Sequence, residues 1–120
     1  MAASTVRFVV SFAITEGSLD AFERIVRVMS AEAQEEPGTL AYQWFLSADR
    51  TRCRLFEAYV DGAAVLAHLT GPVVQGLVPK LLETGSLAGL EVYGDPGPEA
   101  STMLAGLSAE IFPSWHGFAR

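Results

Sequence analysis

Two histidines stand in the 120-residue chain, and one of them, His68, closes its chemically most varied stretch. From Glu36 to Gly71 the chain reads EPGTLAYQWFLSADRTRCRLFEAYVDGAAVLAHLTG. Tyr42 and Trp44 are two apart, as are Glu57 and Tyr59, and residues two apart on a strand share a face. Two such strands would make an aromatic surface with a carboxylate on or near it, next to a histidine-bearing helix. An imidazole titrates near neutrality, so His68 is a candidate general base. Glu57 sits in an otherwise apolar strand, where an unpaired carboxylate is costly. It is either paired, with Arg54 or His68, or set in a pocket with a raised pKa. Tyr42, Trp44 and Tyr59 could line a pocket for a small, flat aromatic molecule, with hydroxyls to orient it. The catalytic candidates are therefore His68 and Glu57. Tyr42, Trp44, Tyr59 and, from the C-terminal tail, His116 are the substrate-binding candidates. Each has a structural alternative: His68 bonding a backbone carbonyl or Glu57, the aromatics filling core or interface, and Trp115 and His116 anchoring the tail to a neighbouring subunit.

Other site classes are excluded by what the chain lacks. Two histidines and one cysteine, none at ligand spacing, make no metal motif, and no cofactor is expected. Gly85-Ser86-Leu87-Ala88-Gly89 has neither the Walker lysine nor the GxGxxG spacing. No Gly-x-Ser-x-Gly elbow occurs, and Cys53 lies in a strand without a clear activating partner. A net charge of −6 argues against nucleic acid and anionic membrane surfaces as partners. A lone cysteine fits a reducing compartment. The start MAASTVRF has no signal-peptide core, and no apolar run approaches the ~18 residues of a membrane span. A soluble cytoplasmic protein is expected.

The elements that must hold these residues follow from local pattern. Val6–Ile14, VRFVVSFAI, is a strand covered on both sides. Ser18 can cap a helix whose apolar stripe is Phe22, Ile25, Val26, Met29 and Ala33, and Pro37 ends it near Glu36. Leu40–Leu46 and Cys53–Val60 are strands joined by the polar Ser47–Arg52. Asp61 can cap a helix over Gly62–Leu69, and Thr70 a second one from near Pro72 with Val74, Leu77, Val78, Leu81 and Leu82 as its stripe. Leu87–Tyr93 is a fourth strand, and Asp95-Pro96-Gly97-Pro98 a linker. Residues 1–95 then form one domain, and 96–120 a C-terminal tail extension. The tail reads as helical from Glu99 to Ile111, with Met103, Leu104, Leu107, Ile111 and Phe118 docked on its own or the partner's helices.

The order β-α-β-β-α-β is that of an α+β, ferredoxin-like fold with an antiparallel four-stranded sheet and both main helices on one face. The other face should not meet water, since Val9, Ala13, Ala41 and Phe45 make it largely apolar. A homodimer packed through the sheet faces would cover it.

Glu36-Pro37-Gly38, Tyr42-x-Trp44, Leu55-x-Glu57-x-Tyr59 and Ala67-His68, in that order, resemble the antibiotic biosynthesis monooxygenase family. The resemblance runs from Val6 to Tyr93. It implies a dimeric α/β barrel and, among several reactions of that superfamily, a cofactor-independent monooxygenase. Haem-degrading relatives are disfavoured, because Gly71-Pro72-Val73-Val74 stands where many relatives carry a second histidine. The expected function is oxidation of a phenolic or hydroquinone-type substrate by molecular oxygen, with His68 as base. The alternatives are an isomerase or lyase in the same pocket, or a ligand-binding dimer without turnover.

Overall fold

The strand β1 (Val6–Ile14) runs through the middle of a five-stranded sheet ordered β2-β3-β1-β4-β5. The structure, a computed structural model, describes residues 5–120. Residues 1–4, on which the leader reading partly rests, lie outside the described residues. Alternation along β1 sends Val6, Phe8, Val10 and Phe12 into the core, with Arg7, Val9, Ser11 and Ala13 on the opposite face. β1 pairs antiparallel with β3 (Arg52–Tyr59) and β4 (Gly85–Tyr93), and β3 pairs antiparallel with β2 (Thr39–Leu46). This is the expected ferredoxin-like arrangement, enlarged by one strand.

The helix α1 (Leu19–Gln34) buries Phe22, Met29 and Ala33 against the sheet. Its exposed face carries a Glu23–Arg27 ion pair at 2.7 Å. Ser18 stands at its N-cap position but makes no side-chain capping bond. Asp61 does cap α2 (Gly62–Thr70), accepting from the Ala64 amide at 2.9 Å.

Three expectations need correction. Thr70 does not cap the next helix; its hydroxyl donates back to the Leu66 carbonyl at 2.8 Å. Beyond it, Val73–Leu77 is a π-helical turn, with Val78 N donating to Val73 O, followed by the short helix α3 (Val78–Leu81). Pro79 has no amide hydrogen and its ring crowds the carbonyl four residues back, so the turn before it takes in an extra residue. That rotates the stripe: Val73 and Leu81 are fully buried, while Leu82 is 42% exposed.

The tail is the second correction. Its helix α4 (Pro98–Ala105) stops before Gly106, and Ser108 adopts a left-handed backbone at φ 59°. The chain then forms β5 (Glu110–Phe112), parallel to β4 with Glu110 opposite Glu91. The sheet therefore has five strands, not four. Leu104 is fully buried, but Met103 and Leu107 are exposed and Phe118 is 80% exposed. Docking is thus by α4 and β5, and residues 113–120 add little to the core.

Third, Gly62–Leu81 taken together is long and apolar enough to cross a membrane by length and composition, which the sequence reading denied. Here Val65, Leu69, Val73 and Leu81 are buried on the sheet, as in a core helix. The sheet's other face carries a bare aromatic pair, Phe45 and Phe56, about half exposed with ring centroids 5.2 Å apart.

Candidate active site

The register across the strands brings the key side chains into one row. Glu57 on β3 lies opposite both Phe8 on β1 and Tyr42 on β2. All three line a cavity of about 90 Å³ between the sheet and the helices. His68, on the inner side of α2, lines the same end. Tyr42, Glu57 and His68 are the cavity's polar side chains; its other lining side chains are apolar.

Glycine makes this approach of α2 to the sheet feasible. A Cβ at Gly38 would lie 2.5 Å from the Ala64 Cβ, so only a glycine lets the start of β2 pass so close to α2. The same approach brings His68 over Glu36, which ends the turn after α1. His68 Nδ1 lies 2.8 and 3.0 Å from the two Glu36 oxygens. Both are acceptors, so Nδ1 carries the hydrogen and Nε2 presents its lone pair elsewhere. Nε2 faces Glu57 Oε1 at 3.5 Å, too far for a hydrogen bond already made. Thr39 Oγ1 donates to Glu36 Oε1 at 2.7 Å and steadies that carboxylate.

Glu57 and His68 are almost wholly buried, at 6% and 3% exposure. Tyr59 donates a short hydrogen bond to Glu57 Oε1, and no hydrogen bond reaches Oε2 from the described residues. Burial raises the Glu57 pKa; the nearby His68 ring and the Tyr59 bond pull it down, and Glu36 pushes it up again. Desolvation dominates, so Glu57 holds its proton well above the usual carboxylate range. Burial, reinforced by Glu57 and Glu36, also raises the Tyr42 and Tyr59 hydroxyls far beyond neutrality. Both remain protonated donors. The site can thus present an imidazole lone pair at His68 Nε2, a carboxyl with a raised pKa at Glu57 and a donor at Tyr42.

The remaining expected residues sit elsewhere. Tyr59 is fully buried behind Glu57 and positions it, with no access to the cavity. Trp44 packs among Phe12, Phe22 and Tyr42, with centroids 5.7 to 6.2 Å away, and does not line the cavity. Its buried indole N–H finds no hydrogen-bond partner among the described residues. His116 lies in the exposed terminal segment against Trp115, away from the cavity lining. Arg54 bonds the Cys53 carbonyl and not Glu57. Burial pushes the Cys53 thiol up to about 11, which makes it a packing residue. Among the described residues no cluster of three potential metal ligands occurs.

Glu36 was missed as a site residue. It was in view only as part of Glu36-Pro37-Gly38, and its partner is 32 residues away. The one available signal was an acidic residue at a helix end next to the proline and glycine that turn the chain towards α2.

The pattern of the antibiotic biosynthesis monooxygenase family matches residues 5–80. The chain belongs to this family. Among solved structures it is similar to MupZ from Pseudomonas fluorescens, at 26% identity and a TM-score of 0.81, covering 97% of this chain and 94% of that one. That likeness takes in the C-terminal segment, since so little of the chain is left out. Rv0793 from Mycobacterium tuberculosis is 22% identical with a TM-score of 0.70, over 79% of this chain and 98% of that one. An antibiotic biosynthesis monooxygenase matches at 21% identity and a TM-score of 0.66, over 78% of this chain and 99% of that one; these last two likenesses concern the fold alone. No curated protein matches.

Proposed function

We propose that this family member is a cofactor-independent monooxygenase that oxidises an electron-rich phenol or hydroquinone with molecular oxygen. The observation that carries the reading is the convergence of His68, Glu57 and Tyr42 on the polar end of an apolar cavity, with Glu36 fixing the His68 tautomer. In this reading His68 Nε2 takes the substrate's hydroxyl proton, and the resulting phenolate supplies the electrons. One oxygen atom of O₂ enters a ring C–H position and the other leaves as water, so a resorcinol gives a hydroxyquinone and needs no outside reductant. Tyr42 orients the ring oxygen. Neutral Glu57 donates to the peroxide oxygen that departs. The apolar walls exclude water while this happens.

The cavity limits the substrate. An apolar cavity of about 150 Å³ takes a single benzene ring, and this one measures about 90 Å³. Even a single ring therefore enters only as the lining side chains give way, and a fused-ring substrate, such as a naphthalene or anthrone, demands a larger rearrangement. We further propose a homodimer in which a second copy covers the Phe45–Phe56 face. The half-exposed Phe45–Phe56 pair supports this, and sedimentation at micromolar concentration should give twice the 12.8 kDa chain mass.

A second reading, an isomerase or lyase, is favoured by one observation: the buried Glu57 carboxyl, its pKa raised, stands 3.5 Å from the His68 ring. That pair could move a proton between two atoms of one substrate. Oxygen uptake separates the readings. With 5-methylresorcinol, the monooxygenase consumes one O₂ per quinone formed in the absence of added flavin, metal or NAD(P)H. Turnover of a substrate without oxygen consumption would replace it by the second reading.

A further inference from the structure

The cavity has a direction. Phe8, Val10 and Phe12 line its floor in succession along β1, a run of about 13 Å at the usual strand rise. The row at Phe8 holds Glu57 and Tyr42, whereas Phe12 lies opposite Cys53 and Leu87. One end is therefore acid–base and the other purely apolar. The roof runs the same way, from His68 on α2 to Leu82 at the end of α3. Leu82 and Leu107 are the lining side chains that stand open to solvent, at 42% and 45% exposure; the others are buried or half-buried. The solvent-exposed part of the lining is thus at these two leucines. The row of Glu57 and Tyr42 at Phe8 lies at the other end.

The family match stops at residue 80, so the mouth belongs to the part of the chain it does not describe. Leu82 follows α3, and Leu107 follows α4, whose fully buried Leu104 forms part of the wall behind it. The helix α4 rests on α2, and β5 ties the segment after Leu107 to β4. Leu107 is thereby anchored on both sides and is not a loose terminus.

We propose that Leu82 and Leu107 form an apolar portal that selects a single-ring substrate bearing an aliphatic tail, the ring at His68 and the tail leading out between the two leucines. This rests on the reading of His68 and Glu57 as the reacting end. Ring and tail answer two features together: polar groups gathered at one end, and about 13 Å of apolar lining along β1 that leads from them towards the two exposed leucines. The C-terminal extension then acts as a specificity element added to the family's core.

The test is binding, measured by calorimetry without oxygen on the full chain, with resorcinol and 5-pentylresorcinol as probes. Each buried methylene strengthens binding, so the wild-type Kd for the pentyl compound should be at least tenfold lower than for resorcinol. In Leu107→Trp and Leu82→Trp the indole fills the passage, and the ratio of the two Kd values should fall towards one. Both positions are exposed, so folding is retained, as circular dichroism will check. Equal wild-type affinity for the two probes, no binding of either, or an unchanged ratio in both tryptophan variants overturns the proposal. Failure of the underlying reading looks different: the tail preference and its loss in the variants persist, but His68→Ala leaves resorcinol affinity unaltered and no oxygen is consumed.

Discussion

Two carboxylates on or beside the same hairpin show opposite uses of one chemical group. Asp49, at the β2–β3 turn, accepts from Ser47 Oγ, Thr51 Oγ1 and the Thr51 amide through a single oxygen, at 2.8 to 3.1 Å. It is fully exposed, and those bonds lower its pKa to about 2. Glu57, eight residues on in the same β-structure, is buried with one donor on Oε1, and burial raises its pKa. A carboxylate saturated with donors in water is a fixed anion that shapes a turn. One stripped of water and left with an open oxygen beside an imidazole is poised to exchange a proton. Burial and spare valence distinguish the site residue, and neither is visible in residue type.

The comparison is tested most severely at His68. If the Glu57 end does chemistry, His68→Ala should lower oxygen uptake by ~10²–10⁴-fold, the range general bases supply; Asp49→Asn should leave it unchanged. Wild-type turnover in His68→Ala would reduce Glu57 to a buried structural acid. Next in size is Tyr59→Phe, which leaves a buried carboxyl without its donor. Urea unfolding should show a loss of about 1–3 kcal/mol.

The third test uses opposite pH dependences. Glu57 has a raised folded-state pKa, so its contribution to stability is complete below the ordinary glutamate value and is lost as pH rises through the folded value. Glu57→Gln should therefore flatten the fall in urea midpoint between pH 4 and 8. An identical slope in both proteins would show that Glu57 is not the group responsible. Asp49 runs the other way: its contribution is present above the unfolded value and disappears as pH drops through about 2. The smallest effect is expected here. In Thr51→Ala, carboxyl carbon resonances should place the Asp49 midpoint nearer 3.8 than 2, with little change in melting temperature.

Much of this architecture was legible in the chain. β1, α1, the β2–β3 hairpin and the Asp61 cap all rest on local rules, namely alternation, a 3.6-residue stripe and one capping side chain. The site was legible where each part stands in an element of clear pattern: Tyr42 on β2, Glu57 on β3 and His68 on α2 were all singled out, and they do meet. What escaped depends on distance or on competition between rules. The pairing of Glu36 with His68 closes a long loop that no window contains. The π-helical turn arises because Pro79 interrupts a pattern that still counts as helical on its spacing. β5 has three residues, and Ile111, four after Leu107, fits a helix as well as a strand until Ser108 turns the backbone left-handed. Tyr59 and Trp44 were assigned to the right face. Depth, which alternation does not report, put one behind the acid and the other beside the cavity.

The unpartnered indole of Trp44 has an optical consequence. The chain's two tryptophans sit in opposite surroundings, Trp115 at 88% exposure and Trp44 ringed by Phe12, Phe22 and Tyr42 with its N–H free of any acceptor. Emission from Trp115 should be red-shifted and readily quenched by acrylamide, whereas Trp44 should emit at the blue edge and resist quenching. Since Tyr42 touches both Trp44 and the cavity, a Trp115→Phe protein would carry a single internal fluorophore one ring removed from the bound ligand. The protein then reports occupancy of its own site by light, with no label attached.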